Sequence, residues 1–184
     1  MERPAAATPA FLAEHYVYEI KMLRTTYQLL SCTTEQGRAN AFIESFIIHA
    51  RVLIDFFESE PKRDDAVAAH FTRAGTFAAV ATKSISRDLR RKMSKQIAHL
   101  TYSRGGPDKI GAADRLTLLQ ALEKDHEDFK RQVATEFVAC FSNEPAFRRR
   151  HFDRCVSVTA KDVIKIVTTD THLSLRPRPH GDRQ

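Results

Sequence analysis

The sequence predicts an all-α protein, a bundle of four to five helices with one irregular crossover between the second and third. Three observations carry that expectation. Apolar residues recur every three or four positions from Leu12 to Cys140, the spacing of a helix face. The only strand-like run is Val163-Ile-Lys-Ile-Val167. Gly37, Pro61, Gly105-Gly-Pro107 and Pro145 cut the chain into helix-length pieces, with no internal repeat. A chain of 184 residues fits one domain, which at this size buries roughly 70% of the surface its unfolded form exposes.

Residues 1–8 are expected to be flexible, residues 9–158 to form the bundle, and residues 159–184 to be a C-terminal extension. The end of that extension, Arg176-Pro-Arg-Pro-His180-Gly, is too polar to fold alone. The first helix is predicted over residues 9–31, with Thr8 as N-cap and Pro9 at the first helical position, where its missing N–H costs nothing. Its inward stripe is Leu12, Tyr16, Ile20, Leu23, Tyr27 and Leu30. The second, over residues 38–58, carries Phe42, Ile43, Phe46, Ile47, Ala50, Leu53, Ile54 and Phe57, a stripe wide enough for more than one neighbour. Pro61 ends it, Asp64 and Asp65 are expected to start a short helix through Phe71, and residues 72–83 read as loop. Ser84 or Ser86 caps a third helix running to Tyr102, with Ile85, Leu89, Met93, Ile97 and Leu100 inward. The fourth is predicted over residues 112–141, burying Leu119, Leu122, Phe129, Val133, Phe137 and Cys140. Glu123, Lys124, Asp125, Glu127, Asp128, Lys130 and Arg131 are expected on its solvated back, and His126 among those surface acids. A shorter helix is expected over residues 146–156.

The net charge is +6, with cations gathered in Arg87, Arg90, Arg91, Lys92 and Lys95, interrupted by Asp88, and in Arg148 to Arg150 with Arg154. Such an excess permits an acidic partner such as RNA, DNA or an acidic protein. Cys32, Cys140 and Cys155 are odd in number and far apart, which argues against a disulfide framework or a zinc knuckle and for buried thiols in a reducing compartment. No window holds the roughly 20 apolar residues of a membrane span, and the Ala-rich N-terminus lacks a signal-length apolar core; the chain is expected to be cytoplasmic. It shows no glycine-rich phosphate loop, no ferritin-type pairing of carboxylates and histidines, and no serine nucleophile elbow, so no cofactor is expected. His151 and Cys155 have helical i, i+4 spacing but no further ligand pair, so no metal site is expected. His15 and His49 lie on helices without ligand-spaced partners, and His70 lies in the crossover.

Chemistry concentrates in Lys95-Gln-Ile-Ala-His99-Leu-Thr-Tyr102-Ser-Arg104. On a helical wheel His99 lies over Lys95 and Lys92, while Asp88 is too far back to touch it and pairs instead with Lys92 at i, i+4. A neighbouring cation disfavours the protonated imidazole, which suits His99 to act as a general base near neutral pH. In metal-free ribonuclease chemistry such a base removes the 2′-hydroxyl proton while Lys92, Lys95 or an arginine stabilises the phosphorane. Arg91, Tyr102 and Arg104 are candidates for nucleic-acid contacts. Arg51 and Asp55, one turn apart on the second helix, form either a rim ion pair or, through Arg51, a link to the third helix near His99.

The segments Asn40-Ala-Phe-Ile-Glu44-Ser-Phe-Ile-Ile-His49-Ala-Arg51-Val-Leu-Ile-Asp55-Phe-Phe, Arg63-Asp-Asp65 and Lys95 to Arg104 together resemble bacterial helical proteins similar to the HEPN superfamily, in particular its branch associated with abortive-infection proteins. The resemblance covers about residues 10 to 140. It implies a HEPN-like helical bundle, often a homodimer, in a superfamily that includes metal-independent RNases of toxin–antitoxin, phage-defence and RNA-processing systems and members that only bind nucleic acid or partners. The family signature is Arg, four to six residues, then His. His99 matches the histidine, whereas the positions for the arginine hold Lys92, Met93 and Ser94, with Arg91 one residue too far. Lys92 lacks the planar fork that suits phosphate. The departure ranks a noncatalytic RNA- or protein-binding module first and an endoribonuclease based on His99 second.

Overall fold

Three consecutive segments, Pro9–Phe11, Leu12–Tyr16 and Val17–Cys32, join without a break in helical backbone to form α1. Thr8 caps it as expected, its hydroxyl accepting from the Phe11 N–H at 3.1 Å. The middle segment is π-helical, closed by the Val17 N–H donating to the Leu12 carbonyl. In this computed structural model, residues 3–60, 64–98, 109–142 and 144 are described. Helix α2 is Gln36–Glu58, two residues longer at its start than expected because the Glu35 carboxylate accepts from the Gly37 N–H at 3.1 Å. Helix α3 is described over Arg87–Ala98 and α4 is Ala112–Gln132. Among the described residues there is no strand, and one isolated antiparallel bridge joins Thr72 to Val133. The chain is all-α.

Side-chain pairs set the helix directions. Tyr16 meets Phe56, Glu19 meets His49, and Tyr27 meets Phe46, so α1 and α2 run antiparallel after a tight connection. Tyr16 meets His126 and Arg24 meets Glu123, so α4 also runs antiparallel to α1. Leu12, Tyr16, Ile20 and Leu23 are buried as the periodicity requires, as are Ile43, Phe46, Ile47, Ala50, Leu53, Ile54 and Phe57. Ile85, Leu89 and Met93 bring α3 into the same core. At its centre Phe129 is fully buried, with Phe56 at 5.4 Å and Phe77 at 5.8 Å, both edge-on, and Tyr16 at 5.1 Å. Edge-to-face packing of this kind adds to the burial of each ring.

Three expectations are corrected. The fourth helix does not reach Phe141. It stops at Gln132, Val133 turns extended (ψ 146°) to pair with Thr72, and a 3₁₀ segment, Thr135–Phe141, follows. The crossover supplies the partners for that break: the Arg73 N–H donates to the Gln132 carbonyl at 3.0 Å and the Ala134 N–H to the Phe71 carbonyl at 2.9 Å. The short helix expected from Asp64 is only a 3₁₀ turn, Ala68–Phe71, because Val67 is extended (φ −127°) and buries its side chain. Residues 72–83 are loop as expected as far as Ala81, beyond which Thr82–Ser84 forms another 3₁₀ turn. Ser86 is the cap of α3, accepting from the Leu89 N–H at 3.2 Å. Cys32 and Cys140 are half-buried thiols rather than core ones. Cys155, the strand-like run at 163–167, the helix expected over 146–156 and the C-terminal extension lie outside the described residues.

Candidate functional site

The sequence placed its candidate chemistry at the end of α3. His99, Tyr102 and Arg104 lie outside the described residues, so the structure bears on Arg91, Lys92, Lys95 and Arg51. The Lys92 ammonium lies 3.6 Å from Asp88 and 3.4 Å from Asp114, which ties α3 to the first turn of α4. Asp114 also accepts from the Gly111 N–H at 3.0 Å. Arg91 donates to Asp88 at 2.6 Å, one turn back on its own helix, and this bond with both cations holds the Asp88 carboxyl below its ordinary value. Arg90 donates to Glu58 and to the Thr82 carbonyl, each at 2.7 Å, joining α3 to α2 and to the crossover. Lys95 is half-buried. The pairing of Asp88 with Lys92 is as the spacing required, and among the described residues Glu58 links α2 to α3 through Arg90. Arg51 is exposed and, among the described residues, acts only as a charge near Asp55.

A second constellation escaped the sequence reading. Glu123, Asp125 and His126, expected on a solvated face, are 7%, 0% and 0% exposed. Arg24 of α1 grips Glu123 with a bidentate fork, Nε to Oε1 at 2.6 Å and Nη2 to Oε2 at 2.7 Å, and its Nη1 donates to Glu144 at 2.5 Å. Glu144 also lies 2.7 Å from His126 Nε2, while Tyr16 Oη lies 2.6 Å from His126 Nδ1. A carboxylate only accepts, so His126 Nε2 carries the proton of that bond, and Nδ1 shares the other with the Tyr16 hydroxyl. Burial raises the Glu144 carboxyl, but the bond from His126 and the charges of His126, Arg24 and Lys130 outweigh it and hold the group at about 2. Burial among carboxylates pushes the Tyr16 phenol well above its ordinary value, so it stays protonated. Hydroxyl, imidazole and carboxylate are aligned as in a proton relay, yet each is sealed from solvent in the core. The arrangement locks α1, α4 and the segment after Phe141 together.

Asp125 performs a related task on the opposite flank. Its carboxylate accepts from the N–H groups of Val80, Ala81 and Thr82 at 3.2, 3.0 and 2.8 Å and from the Thr82 hydroxyl at 2.7 Å. A side chain from α4 thus caps the 3₁₀ turn of the crossover. The signal for these buried polar groups was in the stripe itself: His126 stands four residues after Leu122 and three before Phe129, both fully buried. Among the described residues no three His, Cys, Asp or Glu side chains gather in metal-binding geometry. His151 lies outside them.

A groove between α1 and α2 encloses about 480 Å³. Phe11, His15 and Glu19 line its α1 wall, Val52, Asp55 and Phe56 its α2 wall, and Asp65 to Val67 close one end. Glu19 is held by His49 Nδ1 at 2.6 Å. Partial burial raises the Asp55 carboxyl; Arg51 opposes this, and Glu58 and Asp65 add to it. No family model, curated protein or solved structure matches the chain. No described helix is long and apolar enough to cross a membrane. Function therefore has to be argued from the cations of α3, the sealed network and the groove.

Proposed function

We propose that this chain is a noncatalytic helical binding module of HEPN-like type that engages a protein partner, itself as a homodimer. The observation that supports a protein over RNA is the fate of three of the cations on α3. Arg90, Arg91 and Lys92 all meet carboxylates of the same chain, at 2.7, 2.6 and 3.4 Å. Phosphate binding depends on cations that exchange condensed counterions for phosphates. Cations already neutralised by Glu58, Asp88 and Asp114 contribute little to that exchange. The groove between α1 and α2 presents carboxylates and apolar side chains, a surface suited to polypeptide and repellent to a phosphate backbone.

The test uses purified full-length protein and a labelled, structured RNA. In EDTA no cleavage is expected, and binding measured between about 50 and about 200 mM salt is expected to be weak throughout. Cleavage that persists in EDTA and disappears in His99→Ala overturns this proposal in favour of a metal-independent endoribonuclease. Tight RNA binding that collapses with salt overturns it in favour of an RNA-binding module. Sedimentation of the same preparation reads the homodimer.

A further inference from the structure

The groove between α1 and α2 carries charge of the opposite sign to the chain. The protein has a net charge of +6, yet Asp55 and Asp65 face this groove without an ion pair or side-chain hydrogen bond to any described residue. Glu19 is already taken by His49. Asp65 lies close enough to Asp55 to disfavour its ionisation, and a cation entering the groove relieves that repulsion.

Its walls are apolar where they are not acidic. Val52 is 44% exposed on α2, and Phe11, half-buried on α1, has the His15 ring 4.7 Å away. Phe56 is buried beneath. The α1 wall runs from Phe11 to Glu19, about 12 Å of helix, a length spanned by about four residues of extended chain. Single ions and small amines leave most of such a trough empty. A guanidinium on an apolar stem matches it better than an ammonium, because its plane stacks on a phenyl ring while its fork reaches carboxylates.

We propose that this groove docks an extended, arginine-bearing segment of a partner protein, its guanidinium reaching Asp55 and Asp65 and its apolar neighbours lying on Phe11 and Val52. The inference rests on the protein-binding function proposed above and names the chemistry of the partner.

Calorimetric titration of the full-length protein tests it, with the peptide Ala-Leu-Arg-Leu-Arg-Ala and the same peptide carrying citrulline in place of both arginines. Saturable binding of the arginine peptide is expected, weakened at least about tenfold by citrulline and equally by the double variant Asp55→Asn with Asp65→Asn. The melting temperature of the double variant is expected to stay close to that of the wild type, since both carboxylates are exposed. No saturable binding up to about 1 mM peptide, or binding that ignores either change, overturns the proposal. The RNA assay run on the same preparation separates the two levels. An inert response to both RNA and peptide removes the groove inference alone, whereas RNA cleavage or salt-steep RNA binding removes the protein-binding function itself.

Discussion

Helices α3 and α4 are both dense in charge, and they spend it in opposite ways. On α3 the charged groups stay at or near the surface, where Arg91 and Lys92 share Asp88 and Arg90 crosses to Glu58. On α4 the middle turns carry Glu123, Asp125 and His126 into the core. Composition does not separate the two helices; their neighbours do. Glu123 is buried because Arg24 of α1 arrives with a fork to meet it, and Asp125 because three backbone N–H groups of the crossover converge on its carboxylate. Buried charge persists only where a partner compensates the lost hydration.

The contrast is broken most severely at Arg24. Arg24→Ala leaves Glu123 and Glu144 in the core without their cation, and the expected loss is about 3–5 kcal/mol of unfolding free energy. Urea denaturation followed by circular dichroism measures it; a loss below about 1 kcal/mol would show that the pair is wet and behaves like the ion pairs of α3. Next is Asp125→Ala, which strands the N–H groups of residues 80–82 at the start of the 3₁₀ turn. A loss of about 3 kcal/mol is expected, together with faster amide exchange at those three residues. Exchange unchanged at residues 80–82 would mean that the crossover keeps its shape without α4.

Acid sharpens the same comparison. Glu144 titrates at about 2 in the folded protein against an ordinary 4.5, so the unfolded chain binds the proton more readily. The stabilisation from its pairing is complete above about pH 4.5 and is lost as pH falls from there towards 2. One proton sets a limiting slope of about 1.4 kcal/mol per pH unit. Denaturation midpoints collected across that window are expected to fall steeply in wild type and less steeply in Glu144→Gln. Parallel slopes in the two proteins would assign the acid sensitivity to other carboxylates.

The fold was legible where one face of a helix is apolar throughout. Residues 12, 16, 20 and 23 of α1, and the broad stripe of α2, lie in the core as their spacing requires. Two kinds of feature were hidden. The end of α4 depends on hydrogen bonds to Phe71 and Arg73, about sixty positions away in the chain, and local periodicity carries no trace of them. The buried polar groups of α4 were hidden for a different reason: alone, each looks like part of a solvated face. Only their registration with Leu122 and Phe129, read together with Arg24 following Leu23 on α1, marks them as inward. Of the proposed site, Asp55 and Arg51 were visible as neighbours on one helix. The groove was not, since it exists only once α1 and the segment around Asp65 are packed beside α2.

The smallest expected effect falls on α3 itself, where Arg90 and Arg91 are adjacent in sequence but differ in attachment. Arg90 donates to the Thr82 and Ile85 carbonyls as well as to Glu58, so Arg90→Ala releases three bonds that hold α3 to the crossover and α2. A loss of about 1–2 kcal/mol is expected. Arg91 is exposed and pairs one turn back with an exposed Asp88, an arrangement that solvent screening leaves with little weight. Arg91→Ala is therefore expected to leave the denaturation midpoint nearly unchanged, and to leave RNA affinity unchanged as well if the function lies in protein binding. A selective loss of RNA affinity in Arg91→Ala, with stability intact, would reverse that assignment and return the nucleic-acid surface to α3.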